Sequence, residues 1–176
     1  KPPLEGIDDF AGECLHTGLW PPEPVDFAGK RVGLIGTGSS GIQAVPIIAK
    51  SAKHLTVFQR TPQYSIPAGN RPLDPAILEE ARENWQKYRE LMFESPIGMP
   101  YPMPQRSALD DTEAQRTALY EKLWADGGLH MLFNSYNDLV VDEAANKTLQ
   151  DFIRMKIGQT VKDPDTARKL MPDYLL

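Results

Sequence analysis

The spacing of apolar positions changes character along this chain. Over residues 1–29 it keeps no steady period, and Pro2, Pro3, Pro21, Pro22 and Pro24 break any helix, so the stretch reads as an irregular connector. Lys30-Arg31 leads into Val32-Gly33-Leu34-Ile35-Gly36, a short apolar run bounded by glycine, which predicts a buried parallel strand. From Ser39 to about Lys50 the apolar residues Ile42, Val45, Ile48 and Ala49 fall three or four apart, predicting a helix that Pro46 kinks or splits. His54-Leu55-Thr56-Val57-Phe58 predicts a second strand. Strand, helix and strand together make a βαβ unit of about 30 residues.

After Pro62 only helical periods remain. Asp74-Pro75 is a helix entry, a capping side chain followed by proline at the first helical position. Ile77, Leu78, Ala81, Trp85, Tyr88, Leu91 and Met92 continue it as one apolar stripe to about Phe93. Ser95 to Gln105, with Pro96, Pro100, Pro102 and Pro104, predicts a loop. Asp110 with Glu113 resembles a capping box opening a helix that stops at Gly127-Gly128. A short helix over Leu129–Tyr136 follows, then one from about Glu143 to Ile157 with Gly158 as its stop, and a last one from Asp163-Pro164 that ends before Pro172.

Two parallel strands make a poor sheet, because both outer edges stay unpaired. The fold class expected is α/β: a Rossmann-like βαβ unit over residues 32–61, a helical insertion over 74–171, and a sheet incomplete within this chain. Residues 1–29 form a linker and 30–176 the nucleotide-binding domain. The first residues, Lys1-Pro2-Pro3, carry neither an initiator Met nor a signal sequence, and this adds to the expectation of a segment from a longer product.

Composition narrows the function classes. At 176 residues the chain can bury roughly 70% of its unfolded surface without staples. A net charge of −5 argues against a sequence-independent nucleic-acid binder. No apolar run of about 18 residues is present to span a membrane. A single cysteine, Cys14, fits a reducing, cytoplasmic setting, and with three scattered histidines no metal site is expected. The acidic pairs Asp8-Asp9 and Asp110-Asp111 read as solvated loops or caps. Sixteen prolines are about 9% of the chain, against roughly 5% on average, and they collect outside the βαβ unit.

The strongest chemical signal is Gly36-Thr37-Gly38-Ser39-Ser40-Gly41. It follows a predicted strand and opens a predicted helix, the context in which a GxGxxG motif gains weight. The first glycine permits the turn, the second lets a pyrophosphate approach the backbone, and the third lets helix and strand pack closely. The helix N-terminus supplies free N–H groups and a partial positive charge. Thr37, Ser39 and Ser40 add hydroxyls. The competing reading is a glycine turn at a tight junction with no ligand.

The choice of dinucleotide falls at the end of the second strand. An NAD or FAD site places an acidic residue there. Here the residues are Gln59-Arg60-Thr61, with no Asp or Glu between Gly41 and Asp74. A guanidinium binds a 2′-phosphate through paired charged hydrogen bonds, so the pattern points to NADP, with Arg60 on the phosphate and Thr61 assisting. The competing reading of Arg60 is a solvated surface arginine.

A third pattern is Phe10-x-Gly12-x-x-x-His16-x-x-x-Trp20-Pro21. Judged by physics alone, His16 is a hydrogen-bonded structural residue. Together with the GxGxxG that follows, the pattern resembles the fingerprint FxGxxxHxxxWP of the type I Baeyer–Villiger monooxygenases, and every fixed position matches. Val57 to Tyr64 also resembles that family's segment after the NADP-domain strand, and the later helices resemble its helical insertion.

The resemblance implies an FAD- and NADPH-dependent monooxygenase that converts ketones to esters or lactones with O2. It implies a phosphate-binding loop of Gly36 and Thr37 through Gln43, including Ile42. It implies a 2′-phosphate pair of Arg60 and Thr61. Phe10, Gly12, His16, Trp20 and Pro21 become hinge residues, with His16 and Trp20 coupling movement of the NADP domain to the flavin. The family's FAD-binding GxGxxG, expected before the fingerprint, is not in this sequence, nor is the Lys-Arg pair expected beyond the last helix. No flavin site and no catalytic residue is therefore assigned. NADP(H) is the cofactor expected here, and FAD is expected to be held mainly by a separate domain of the same polypeptide. A related N- or S-oxidising flavin monooxygenase and a stand-alone NADP-sensing module are the alternatives.

Overall fold

Strand β1 (Arg31–Ile35) and strand β2 (His54–Phe58) flank helix α1 (Ser39–Ile48). The computed structural model describes residues 5–95, 98–101 and 103–176; Pro2 and Pro3 of the connector and Pro96 and Pro102 of the later loop lie outside them. The chain divides into two compact units, residues 1–61 and 62–176. It is mixed α/β and mostly helical, with one two-stranded parallel sheet among the described residues. No described helix is long and apolar enough to cross a membrane.

In the first unit β1 and β2 pair in parallel, with Val32 opposite Leu55 and Leu34 opposite Val57. Alternation then places Gly33, Ile35, Thr56 and Phe58 together on the other face. That second face is open: Ile35 is 72% exposed and Phe58 56%. Ile48 is the one buried hydrophobic residue of this unit among the described residues. Pro46 stays within α1 without splitting it. The connector holds two short 3-10 turns, Ile7–Asp9 and Thr17–Leu19, and is otherwise irregular. Its Ala28 forms an isolated antiparallel bridge with Ala52, just ahead of β2.

The second unit carries helices α2 (Pro75–Glu83), α3 (Trp85–Glu94), α4 (Glu113–Asp126), α5 (His130–Phe133), α6 (Glu143–Thr160) and α7 (Pro164–Leu170). Its core forms where Tyr120 and Leu123 of α4 meet Leu149, Phe152 and Ile153 of α6, with Met131 of α5 beside them. Burial of each such side chain stabilises the fold by about 1.5–3 kcal/mol. Tyr64 and Ile66, from the segment after β2, pack against this core.

Several expected boundaries differ for physical reasons. Strand β1 ends at Ile35 because Gly36 turns away at φ +97°. The long helix expected from Pro75 to about Phe93 breaks at Asn84, whose side-chain amide donates to the Glu80 carbonyl at 3.0 Å and terminates α2. Its apolar stripe forms but buries no residue. The capping box is Thr112 with Gln115, two residues later than expected, and Asp110 instead closes a 3-10 turn over Ala108–Asp110. The short helix after the glycine pair is confined to His130–Phe133. Gly158 does not stop α6, since it does not take the left-handed φ of a glycine stop and the helix runs on to Thr160. Asp111, expected to be solvated, is buried. It accepts hydrogen bonds from the Tyr136 hydroxyl at 2.6 Å and from Arg106 Nη1 at 2.9 Å.

Candidate functional site

Because β1 and β2 are parallel, with Ile35 opposite Phe58, both strands leave the sheet at the same end. The Gly36 N–H donates to the Phe58 carbonyl at 2.9 Å and carries the ladder one residue into the turn. The glycine-rich turn and the segment Gln59-Arg60-Thr61 therefore emerge side by side. Sequence reading expected them in one βαβ unit, and the parallel register sets them side by side.

The three motif glycines do different work. Gly36 lies in the left-handed region at φ +97°, where a side chain is strained. A Cβ on Gly41 would lie 2.4 Å from the Gly36 carbonyl oxygen, so this glycine lets α1 close onto the turn. Gly38 is extended, at φ −68° and ψ −177°, a conformation open to any residue, and a Cβ there would meet nothing within 4 Å. Folding thus requires Gly36 and Gly41 but not Gly38. A Cβ on Gly38 would face open space beside the helix end.

Gly38 caps α1 without a side-chain bond, and the first helical bond runs from the Ile42 N–H to the Gly38 carbonyl at 3.0 Å. The N–H groups of Ser39, Ser40 and Gly41 precede any intrahelical acceptor and face out of the helix end. They offer an anion three donors at the positive end of the helix dipole. Ser39 and Ser40 are exposed and Thr37 is half-buried. The Gln43 side-chain amide donates back to the Ser39 carbonyl at 2.9 Å, steadying the first turn, and Ile42 is 43% exposed. Arg60 is exposed with no carboxylate against it among the described residues, and Thr61 is half-buried.

The fingerprint residues pair locally. The Phe10 ring lies over Gly12, where a Cβ would come within 2.7 Å of the ring. His16 Nδ1 accepts from the Gly18 N–H at 3.1 Å and caps the turn Thr17–Leu19, which puts the neutral ring's proton on Nε2. Trp20 tilts against Phe27 with ring centroids 6.3 Å apart, and Pro21 is half-buried. His16 is thus hydrogen-bonded to the backbone of its own turn.

Sequence reading missed the part played by the Phe58 carbonyl, because a backbone acceptor leaves no residue-type signal. The clearly shifted titrations lie in the helical unit. Burial pushes the Tyr120 phenol up to about 12, and burial together with the Asp111 carboxylate pushes Tyr136 up as well. Among the described residues no cluster of His, Cys, Asp and Glu could hold a metal ion.

Comparison with known proteins gives the chain its relatives. No family model matches. Cyclohexanone 1,2-monooxygenase from Acinetobacter sp is 41% identical over 99% of this chain and 32% of its own length. Phenazine N-monooxygenase from Lysobacter antibioticus is 42% identical over the same shares. The crystal structure of OTEMO in complex with FAD and NADP superposes with a TM-score of 0.91 at 40% identity, covering 98% of this chain and 33% of that one. Over nearly its whole length the chain is similar to Baeyer–Villiger and related monooxygenases. It spans about a third of the length of the curated relatives it matches.

Proposed function

We propose that this chain is the NADP(H)-binding segment of a flavin-dependent Baeyer–Villiger monooxygenase that oxidises a ketone to an ester or lactone with NADPH and O2. Residues 30–176 are its NADP domain, Rossmann-like over 32–61, and residues 1–29 its linker. The observation that carries this reading is the hydrogen bond from the Gly36 N–H to the Phe58 carbonyl. It sets the open N–H groups of Ser39, Ser40 and Gly41 beside the segment bearing Arg60. Those N–H groups receive the pyrophosphate, Gly38 leaves it room, and Arg60 with Thr61 takes the 2′-phosphate. NADPH bound here supplies the reducing equivalents for FAD, which is held mainly by the rest of the polypeptide. Phe10, Gly12, His16, Trp20 and Pro21 form the hinge that joins the two.

The test is cofactor preference. NADPH should bind better than NADH, and Arg60→Ala should remove most of the difference, a loss of about 1.5–3 kcal/mol for a charged hydrogen-bonded contact. An unchanged preference would overturn the 2′-phosphate role. An N-oxidising enzyme is the second reading, favoured by the 42% identity to phenazine N-monooxygenase. It shares this nucleotide chemistry, and product analysis with a cyclic ketone and an aromatic N-heterocycle separates the two.

A further inference from the structure

The Phe58 side chain folds back across the sheet. Gly33 and Phe58 share a face, because Gly33 stands opposite Thr56, two residues before Phe58 in β2. A Cβ on Gly33 would come 3.3 Å from Phe58 Cε2 and would meet nothing else within 4 Å among the described residues. The glycine thus leaves a gap that only this ring borders. The Phe58 carbonyl accepts the Gly36 N–H at 2.9 Å, so Phe58 touches the β1 side twice, once with its ring and once with its backbone. All of these residues lie within the first compact unit.

Phe58 is the last residue of β2, and the end of a ladder is where it opens first. The ring ties that end to Gly33, where the ladder continues on both sides. Two residues span at most about 7 Å, so a held Phe58 keeps Arg60 near the strand end. A Phe58 that swings away takes with it both the acceptor of the glycine turn and the start of the Arg60 segment. We infer that Phe58 is a positioning residue for the nucleotide site, its ring seated on Gly33 to keep the end of β2 closed against β1 and Arg60 beside the glycine turn. This rests on the reading of Arg60 and Thr61 as the 2′-phosphate pair.

The test is titration calorimetry of the intact monooxygenase with 2′,5′-ADP and with 5′-AMP, two probes that differ by the 2′-phosphate. Phe58→Ala removes the ring and keeps the backbone carbonyl. It should lower the preference for 2′,5′-ADP over 5′-AMP by about threefold, the loss of one cross-strand side-chain contact. Gly33→Val keeps the ring and fills its seat. Valine is favoured in strands, so this variant should fold and yet lower the preference in the same direction, and it serves alone if Phe58→Ala does not fold. A preference unchanged in either folded variant, whether both probes weaken equally or neither weakens, overturns the inference. Arg60→Ala in the same experiment keeps the two ideas apart. If it leaves the preference intact, the 2′-phosphate reading fails; if it abolishes the preference and the Phe58 and Gly33 variants do not change it, only the positioning role of Phe58 fails.

Discussion

Gly41 stands so close to Gly36 that a Cβ on Gly41 would fall 2.4 Å from the Gly36 carbonyl oxygen. No side chain intervenes, and the obstacle is backbone, which has little room to yield. Two residues after Gly36, by contrast, Gly38 faces open space. One motif thus contains glycines kept for folding and a glycine for which folding has no use.

The two kinds separate on substitution. Gly41→Ala should destabilise the protein by about 1–3 kcal/mol, the usual cost of overpacking, because α1 must move off the turn. Gly38→Ala should cost only about 1 kcal/mol, the loss of going from glycine to alanine at an N-cap, because the added methyl meets no protein atom. If the proposed NADP(H) role holds, it should nevertheless weaken NADP+ binding, because its methyl group would stand in the path of the pyrophosphate. Thermal unfolding and NADP+ titration of the two variants check this. A Gly38→Ala protein that binds NADP+ as tightly as the parent would remove Gly38 from the binding turn.

How far the sequence announced this arrangement varies with the kind of signal. Strand β2 and the entries to α1, α2 and α7 were legible, because apolar period and capping chemistry are local properties. The break at Asn84 was not, because the apolar stripe runs straight through it and only the side-chain bond to the Glu80 carbonyl ends the helix. The burial of Asp111 was also hidden. Nothing in an Asp-Asp pair shows that Tyr136, 25 residues away, will close over it. The glycine motif and Arg60 were each visible and the expected βαβ unit put them in one site, but the register that pairs Ile35 with Phe58 was not, because no local pattern encodes it.

Asp111 and Tyr136 give a second prediction. The carboxylate side chain is 7% exposed and is shared between the Tyr136 hydroxyl and Arg106, which is itself half exposed. The Arg106 guanidinium also lies 5.3 Å from the centre of the Tyr136 ring. Tyr136→Phe should cost about 1.5–3 kcal/mol, the range for a hydrogen bond to a charged group. Burial, and next the Asp111 carboxylate, hold the Tyr136 phenol above its ordinary value of 10.0. Ultraviolet titration of the folded protein should therefore find a tyrosine that stays protonated through the ordinary phenol range, and Asp111→Asn should bring its ionisation to lower pH. A Tyr136 that ionises at its ordinary value in the parent protein would contradict the buried pair.

The start of α7 supplies a pH test with a definite sign. Asp163 Oδ1 accepts from the Thr166 N–H at 2.8 Å, and Pro164 follows at the first helical position. Hydrogen bonds from Thr166, aided by the charge of Lys169, lower the Asp163 pKa from its ordinary value of 3.8. A carboxyl group whose pKa is lower folded than unfolded stabilises the fold above the unfolded value, and that contribution disappears as pH falls through the folded one. Protection of the Thr166 amide from hydrogen exchange should accordingly hold near neutrality and decline only below about pH 4. Asp163→Asn keeps a capping oxygen that does not titrate, so its amide protection should be insensitive to pH across that window. A carboxyl resonance of Asp163 that titrates at or above 3.8 would show that the cap does not hold the charged form.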